Sequence, residues 1–283
     1  MARTQQNRGM SAFRAHYEAI YGEAWEVIGE ALLRDPAYLR LGDVQPYFLD
    51  AASYLCARTL DVGNEHRVLD MCAAPGGKTL VLAGMRPGGI PDTEVGTFTL
   101  TANDLSRARR TRLKRVVEAH LAASIQPLVR VTGFDASRWG LHEPQAYDRI
   151  LCDVPCSSER HVIGSESDLA KWKASRPKQL AQRQYAILCA GIDALRPQGR
   201  LVYSTCALDP KENDGVVRKA LARRAGLVQP GATASRVRQL AEEHGLPPPI
   251  ETECGVMYRP DLHAGMGPMY ISLLEKPDLS AQT

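Results

Sequence analysis

Two short segments carry the residue types from which covalent chemistry could be built: Asp153-Val-Pro-Cys156 and Ser204-Thr-Cys206. Each closes an apolar run that reads as a buried strand. In sheets built from alternating strands and helices, the residues just past the strand ends line the ligand cleft. Both cysteines are therefore expected to face one cleft, with Asp153 beside Cys156. A thiolate there could attack an electron-poor ring carbon. Cytosine offers such a target. Its carbon 5 is a poor nucleophile until a thiolate adds to carbon 6 and turns the ring into an enamine. Carbon 5 can then attack an activated methyl group, a base removes the carbon-5 proton, and the thiolate leaves. The scheme needs a thiolate, an acid that protonates or hydrogen-bonds the ring as charge develops, and a methyl donor held in line. Chemistry alone leaves open whether Cys156 or Cys206 adds. The ordinary structural reading of either cysteine is a small buried hydrophobe.

A methyl donor needs a cradle, and Asp70-Met-Cys-Ala-Ala-Pro-Gly-Gly-Lys-Thr79 follows the first candidate strand. Its small residues and two glycines let backbone approach a ligand, and the next helix adds free N–H donors. Neither G-x-x-x-x-G-K-[ST] nor G-x-G-x-x-G occurs in it, so an adenosine ligand without a phosphate chain fits better than a nucleotide. Asp104, after the second strand, suits a ribose diol; its competing role is a helix N-cap before Ser106. Asp135, after the third, could accept from the amino group of adenine, and an N-cap is as good a local reading.

The elements that must hold these residues can be traced by periodicity. Phe13, Tyr17, Ile20, Trp25, Ile28, Leu32 and Leu33 predict helix over residues 11–40, and a second helix is expected from about residue 49 to 60. Strands are expected at 67–71, 97–102, 128–131, 147–153 and 201–205. Helices are expected from 78, over 106–120 and 177–195, and from 212. Residues 226–252, rich in Pro, Gly and Glu, read as irregular, and two short strands near 255–258 and 268–274 close the sheet. This alternation predicts an α/β chain: a Rossmann-like, doubly wound parallel sheet at 49–278 behind a small helical N-terminal extension at 1–48.

With 283 residues and 44% hydrophobic content, the chain can bury a core of that size. No apolar run reaches the ~18–20 residues of a membrane span, and the opening MARTQQNRGM lacks the apolar stretch of a secretory signal. Seven widely spaced cysteines without a CxxC pair argue against a disulfide framework and against a zinc site. No metal is expected. Cys56, Cys72, Cys152, Cys189 and Cys254 read as buried thiols. The net charge is only +3, yet Arg107, Arg109, Arg110, Arg112, Lys114 and Arg115 form an acid-free run, as do Lys171, Lys173, Arg176, Lys178 and Arg183. Such runs are usually solvated helix faces, and they are also what a phosphate backbone would meet.

These segments together resemble the Sun family of RNA cytosine-5 methyltransferases. The resemblance rests on LDAAS (49–53), VLDMCAAPGGKT (68–79), ANDLSRARRTRL (102–113), DVPCSSERH (153–161), YSTCALDPKEN (203–213) and GPMY (267–270). DVPCSSERH and GPMY look most like the branch that includes mitochondrial ribosomal RNA enzymes. The resemblance implies S-adenosyl-L-methionine as cofactor, contacted by Cys72, Ala73, Ala74, Pro75, Gly76, Gly77, Lys78, Asp104, Arg109, Asp135 and Asp153. It implies Cys206 as nucleophile, Cys156 as the residue that assists product release, and Lys78 beside Asp153 and the target base. RNA is the implied partner, ribosomal RNA first and tRNA as the alternative, with an RNA-binding protein or the ribosomal subunit supplying further grip. The compartment is expected to be cytoplasmic, with the mitochondrial matrix as the alternative. A nitrogen methyltransferase would put an aromatic residue where Cys156 stands. An RNA-binding assembly factor of the same fold would not need Asp153, Cys156, Cys206 and Lys78 together.

Overall fold

In the computed structural model, residues 2–43, 45–87 and 97–278 are described, residues 2–7 by their backbone alone. Residues 11–40 form two helices and the start of a hairpin in place of one helix. Helix α1 (Ala2–Tyr21) breaks at Gly22, whose φ is +58°, and α2 (Ala24–Leu33) runs only to Leu33. Strands β1 (Tyr38–Leu41) and β2 (Tyr47–Asp50) then pair antiparallel. The apolar spacing was helical across the break because both helices bury their apolar residues, Phe13, Tyr17, Trp25, Ile28 and Leu32, in one core. Helix α3 (Ala51–Thr59) follows at once, capped by Asp50, whose carboxylate accepts from Ser53 N at 3.0 Å.

The alternation then unfolds as expected: β3 (Arg67–Asp70), α4 (Gly77–Leu82), β4 (Thr99–Asn103), α5 (Arg107–His120), β5 (Val129–Thr132), the short α6 (Trp139–His142) and β6 (Tyr147–Asp153). Short helices α7 (Glu159–Ile163) and α8 (Glu166–Lys171) lead into α9 (Arg176–Ala194), and β7 (Leu195–Thr205) begins without a separate turn. Helix α10 (Asp214–Arg223) and the two-residue β8 (Gln229–Pro230) come next. Within 226–252, expected to be irregular, lie α11 (Thr233–Glu243) and β9 (Ile250–Glu251). Val237, Leu240 and Ala241 of α11 are buried against the sheet, so tertiary packing outweighs the helix-poor flanks. Strands β10 (Val256–Tyr258) and β11 (Met269–Glu275) complete the order β5-β4-β3-β6-β7-β11-β10-β9, with β8 on β11.

Neighbours from β5 to β7 are parallel; β11 joins β7 antiparallel. The chain runs outward from β3 to β5 and then returns to β6 on the other side of β3. The switch point, where loops diverge and a ligand can enter, therefore lies between β3 and β6. Side chains alternate across the sheet: Val68, Leu151 and Val202 pack towards α3, α4, α5 and α11, while Leu69, Ile150, Cys152, Leu201 and Tyr203 pack towards α6, α9 and α10. Phe13, Tyr17, Trp25, Ile28 and Leu32 of the N-terminal helices belong to that second core. The boundary expected between residues 48 and 49 falls inside β2. The extension thus shares its core with the sheet.

The loop after β3 is close to its neighbours at both glycines. A Cβ at Gly76, whose φ is +122°, would lie 2.9 Å from Val116 Cγ1 of α5, and one at Gly77 would lie 2.7 Å from Leu49 Cδ1 of the hairpin. The glycines thus clear protein neighbours, a constraint beyond the ligand approach inferred from sequence. Gly76→Ala combines a strained backbone with a branched neighbour and is expected to cost about 1–3 kcal/mol. Denaturant unfolding reads this directly; an unchanged midpoint would mean that α5 yields without cost.

Candidate active site

At the switch point a cavity of about 380 Å³ is lined by Met71, Cys72, Asn103, Asp104, Leu105, Ser106, Arg109, Ala136, Pro155, Arg183 and Ile187. Asp104 is 4% exposed. Its Oδ1 accepts from Ser106 N at 2.9 Å, an Asx-type turn that aims the carboxylate inward, and its Oδ2 lies 3.4 Å from Arg109 Nη1. Arg109 also donates to Ala74 O, which joins α5 to the loop after β3. The cap of α5 is Ser106 itself, so Asp104 is left to face the cavity. Asn103, which no motif singled out, ties the strand ends together: its Nδ2 donates to Met71 O and Phe134 O, both at 3.0 Å, and its Oδ1 accepts from Phe134 N at 2.8 Å.

Asp135 sits differently. Its carboxylate caps the turn at 136–138, accepting from Ser137 N at 3.0 Å and Ser137 Oγ at 2.8 Å. Those bonds hold its pKa below the usual carboxylate range. Its neighbour Ala136 lines the cavity; Asp135 stands at the edge. Ala73, Ala74, Pro75, Gly76 and Gly77 form the turn behind Cys72, packed on α5 and the hairpin.

Beside the cavity, Lys78 from the first turn of α4 reaches the end of β6. Its Nζ donates to Asp153 Oδ2 at 2.9 Å and to Ser53 Oγ at 3.2 Å. Asp153 Oδ1 accepts the Ser204 hydroxyl at 2.9 Å. Burial favours the neutral amine, but the Asp153 carboxylate outweighs it and holds Lys78 protonated. Both Asp153 oxygens are thus acceptors, and the proton-bearing group of the pair is Lys78. Below them Asp70 is buried; its Oδ2 accepts from Thr79 Oγ1 at 2.7 Å, its Oδ1 has no partner, and burial pushes the carboxyl up to about 7.

The two cysteines meet. Cys156 Sγ and Cys206 Sγ are 3.0 Å apart, and Ser158 Oγ lies 3.5 Å from the first and 3.3 Å from the second. All seven cysteines are free; Cys56, Cys152 and Cys189 are buried as expected, while Cys72 and Cys254 are partly exposed. Hydrogen bonding from Cys156 draws the Cys206 thiol down against the effect of burial, helped by Ser158 and by the Lys78 cation. The same contact, together with burial, pushes Cys156 up. Of the two thiols, Cys206 is thus the more readily ionised, with Cys156 as its hydrogen-bond partner. Its turn is set by Thr205 Oγ1, which donates to Asn213 Oδ1 at 2.6 Å, and by Asn213 Nδ2, which donates to Ala207 O at 2.9 Å. Pro155, next to Cys156, lines the cavity and so joins the two compartments.

Of the basic runs, Arg109 and Arg183 line the cavity, and Arg110 donates to Asp104 O at 2.8 Å. Arg107, Arg112, Lys114, Arg115, Lys171, Lys173 and Lys178 are exposed. Ser53, Ser158 and Ser204 had lain inside quoted motifs without a role. Asn103 could have been noticed as a buried amide at the end of its strand, inside the quoted motif at 102–113.

Comparison with known proteins agrees with this geometry. The chain is 36% identical over 252 residues to the 5-cytosine rRNA methyltransferase NSUN4 of Mus musculus, covering 83% of this chain and 61% of that protein. It is 39% identical over 184 residues to NSUN4 of Xenopus laevis, covering 64% and 43%. The mitochondrial tRNA (cytosine(34)-C(5))-methyltransferase of Mus musculus is 31% identical over 231 residues, covering 81% and 63%. The chain thus spans roughly half to two thirds of these relatives. A methyltransferase homolog protein from Pyrococcus horikoshii shares the fold at TM-score 0.62, with 20% identity and coverage of 93% and 94%. NSun6 from the same organism, solved with SFG, does so at TM-score 0.57, with 23% identity and coverage of 82% and 53%. Residues 57–274 match the family described as 16S rRNA methyltransferase RsmB/F, and the chain belongs to that family.

Proposed function

We propose that this chain transfers a methyl group from S-adenosyl-L-methionine to carbon 5 of cytosine in RNA, with Cys206 as covalent nucleophile. The observation that carries the reading is the Cys156–Cys206 contact at 3.0 Å, with the Lys78–Asp153 pair on one side and the cavity wall at Pro155 on the other. The cavity suits an adenosyl ligand: one buried acid, apolar walls from Met71, Leu105, Pro155 and Ile187, and an Arg109 already engaged by Asp104 and Ala74. Cys72, Asp104 and Arg109 would hold it, with Asp135 at its edge and Asp153 and Lys78 beyond Pro155. The bound cofactor supplies an electrophilic methyl group.

The protein's own groups do the rest. Cys206, the more acidic thiol, adds to carbon 6 of an extruded cytosine. Lys78, oriented by Asp153, meets the negative charge that develops on the ring, in a site largely closed to water. Carbon 5 becomes the nucleophile. After methylation a base, water or Cys156, takes the carbon-5 proton, the C5–C6 double bond re-forms, and the Cys206–C6 bond breaks to release the thiolate, an elimination that Cys156 assists. The names of the relatives favour ribosomal RNA, and the tRNA relative keeps tRNA as the second reading. A mitochondrial location is what one relative's name supports. Among the described residues no helix is long and apolar enough to cross a membrane. Incubation with labelled cofactor and either small-subunit ribosomal RNA or tRNA, followed by nucleoside analysis, tests the reading: 5-methylcytidine in neither would end it.

Three expectations follow from the geometry. Asp104→Ala should weaken cofactor binding by about 1.5–3 kcal/mol, the scale of hydrogen bonds to a charged group; calorimetry on the folded variant showing equal affinity would remove Asp104 from the site. Replacing Lys171 and Lys173 should lower the log–log salt slope of RNA binding by about 0.7–0.9 per lost phosphate contact, and an unchanged slope would return them to a plain solvated face. Cys206→Ala should abolish methylation and leave no adduct, whereas Cys156→Ala should stall after methyl transfer and remain attached to RNA through denaturing electrophoresis. The double variant should form no adduct. The opposite pattern would make Cys156 the nucleophile.

A further inference from the structure

Among the buried carboxyls that the chemistry above leaves unused, one lies just past the Cys156 turn. Glu159 lies three residues beyond Cys156, is 0% exposed, and has no hydrogen-bond partner at Oε2. Its Oε1 accepts the hydroxyl of Tyr17, also 0% exposed, at 2.5 Å. Between Cys156 and Glu159 stands Ser158, with φ +53°. A left-handed conformation is uncommon outside glycine and persists where the surroundings over-determine it. This residue is also the one whose hydroxyl touches both thiols.

Helix α1 reaches the loop of the other cysteine as well. His16 Nε2 lies 2.7 Å from Asp209 Oδ2, and Tyr21 OH donates to Leu208 O at 2.6 Å. Glu212 links the two loops, accepting from Ser157 N at 3.0 Å, from Ser157 Oγ, and from Gln184 Nε2 at 2.7 Å. Both cysteine-bearing loops are thus held from outside the sheet by one N-terminal helix. The groups facing Glu159 are Tyr17 and Tyr21 from α1, Glu212 and Asp209 from the loop after β7, and the two thiols. Burial first, then the charge of Glu212, pushes the Glu159 carboxyl up to about 8, so it is protonated at neutral pH and ionises as pH rises through that value. The neutral form spares the Cys206 thiolate a buried like charge.

We propose that Tyr17 and Glu159 are positioning residues for the covalent step: their buried hydrogen bond holds the turn at Ser158, and with it the spacing of the Cys156 and Cys206 thiols. The kinetic part of this rests on the methyltransferase reading; the thiol geometry does not. Tyr17→Phe removes one hydroxyl and leaves the helix packing in place. It should lower kcat by about 10- to 100-fold, the range for slight misplacement of reacting groups, with KM for RNA within about twofold. Glu159→Gln keeps the acceptor and should restore nothing lost, remaining close to wild type at pH 7. It should also lose any decline that wild type shows above pH 8. A Tyr17→Phe/Glu159→Leu variant removes both partners without an orphan polar group and should match the low kcat even if Tyr17→Phe folds poorly. Independently of RNA, alkylation by iodoacetamide with mass-spectrometric readout should favour Cys206 over Cys156 in wild type and lose that preference in Tyr17→Phe. A folded Tyr17→Phe with wild-type kcat and wild-type alkylation preference overturns the proposal. A wild-type protein that makes no 5-methylcytidine, yet whose alkylation preference changes in Tyr17→Phe, overturns the methyltransferase reading and leaves the positioning intact.

Discussion

The Lys78–Asp153 ion pair is the contact on which the site depends, because its partners come from elements that the chain order separates widely. Lys78 opens the helix after β3, Asp153 ends β6, Ser204 on β7 donates to Asp153, and Ser53 on α3 accepts from Lys78. The pair is mostly buried, with side-chain exposures of 12% and 28%. Burying two charges costs heavily unless each is paired and hydrogen-bonded. Here every oxygen of Asp153 has a donor, and the ammonium has two acceptors. The arrangement is tolerable only when β3, β6 and β7 lie side by side, so the pair and the sheet order require each other.

That constraint also gives the cysteines unequal chemistry. Both stand at neighbouring strand ends, Cys156 buried and Cys206 partly exposed. The hydrogen bond between the thiols first, and then the Lys78 cation, favour ionisation at Cys206 over Cys156. The Cys156 proton then stabilises its neighbour. Sharing one proton between two sulfurs 3.0 Å apart keeps a nucleophile ready without placing two negative charges in one low-dielectric pocket.

Around this centre the polar groups form layers. Asn103 binds the ends of β3, β4 and the loop after β5, which shapes the cavity floor. Asn213 and Glu212 hold the turn that carries Cys206 and connect it to the turn that carries Cys156. The N-terminal helices close the outer side, through an aromatic cluster in which Tyr17 stacks on Trp25 at 4.8 Å and Phe13 meets Trp172 edge-on at 5.4 Å. Apolar packing thus brings α1 to the loops, and a few buried polar contacts set its register.

The sequence alone was enough for the doubly wound sheet, its carboxyl-end residues, and the meeting of Cys156, Cys206 and Asp153; Lys78 beside Asp153 came from the family resemblance. These follow from local signals: period-2 apolar runs, glycines after a strand, and the rule that strand ends share a cleft. It was also enough to favour an adenosine ligand over a nucleotide with a phosphate chain. It did not reveal α11, because its flanks are poor in helix formers, nor the β1–β2 hairpin, whose strands are only four residues each. Only the tertiary structure separated Asp104, which faces the cavity, from Asp135, whose carboxylate caps its own turn. Both are aspartates after strands, and which way a carboxylate turns depends on the neighbours that donate to it. The same holds for Asp153, whose two oxygens both accept, and for Tyr17 and Glu159, which are 142 residues apart. Residue type and spacing specify what a side chain can do, whereas its protonation and its partner are set by burial and by charges that arrive from distant parts of the chain.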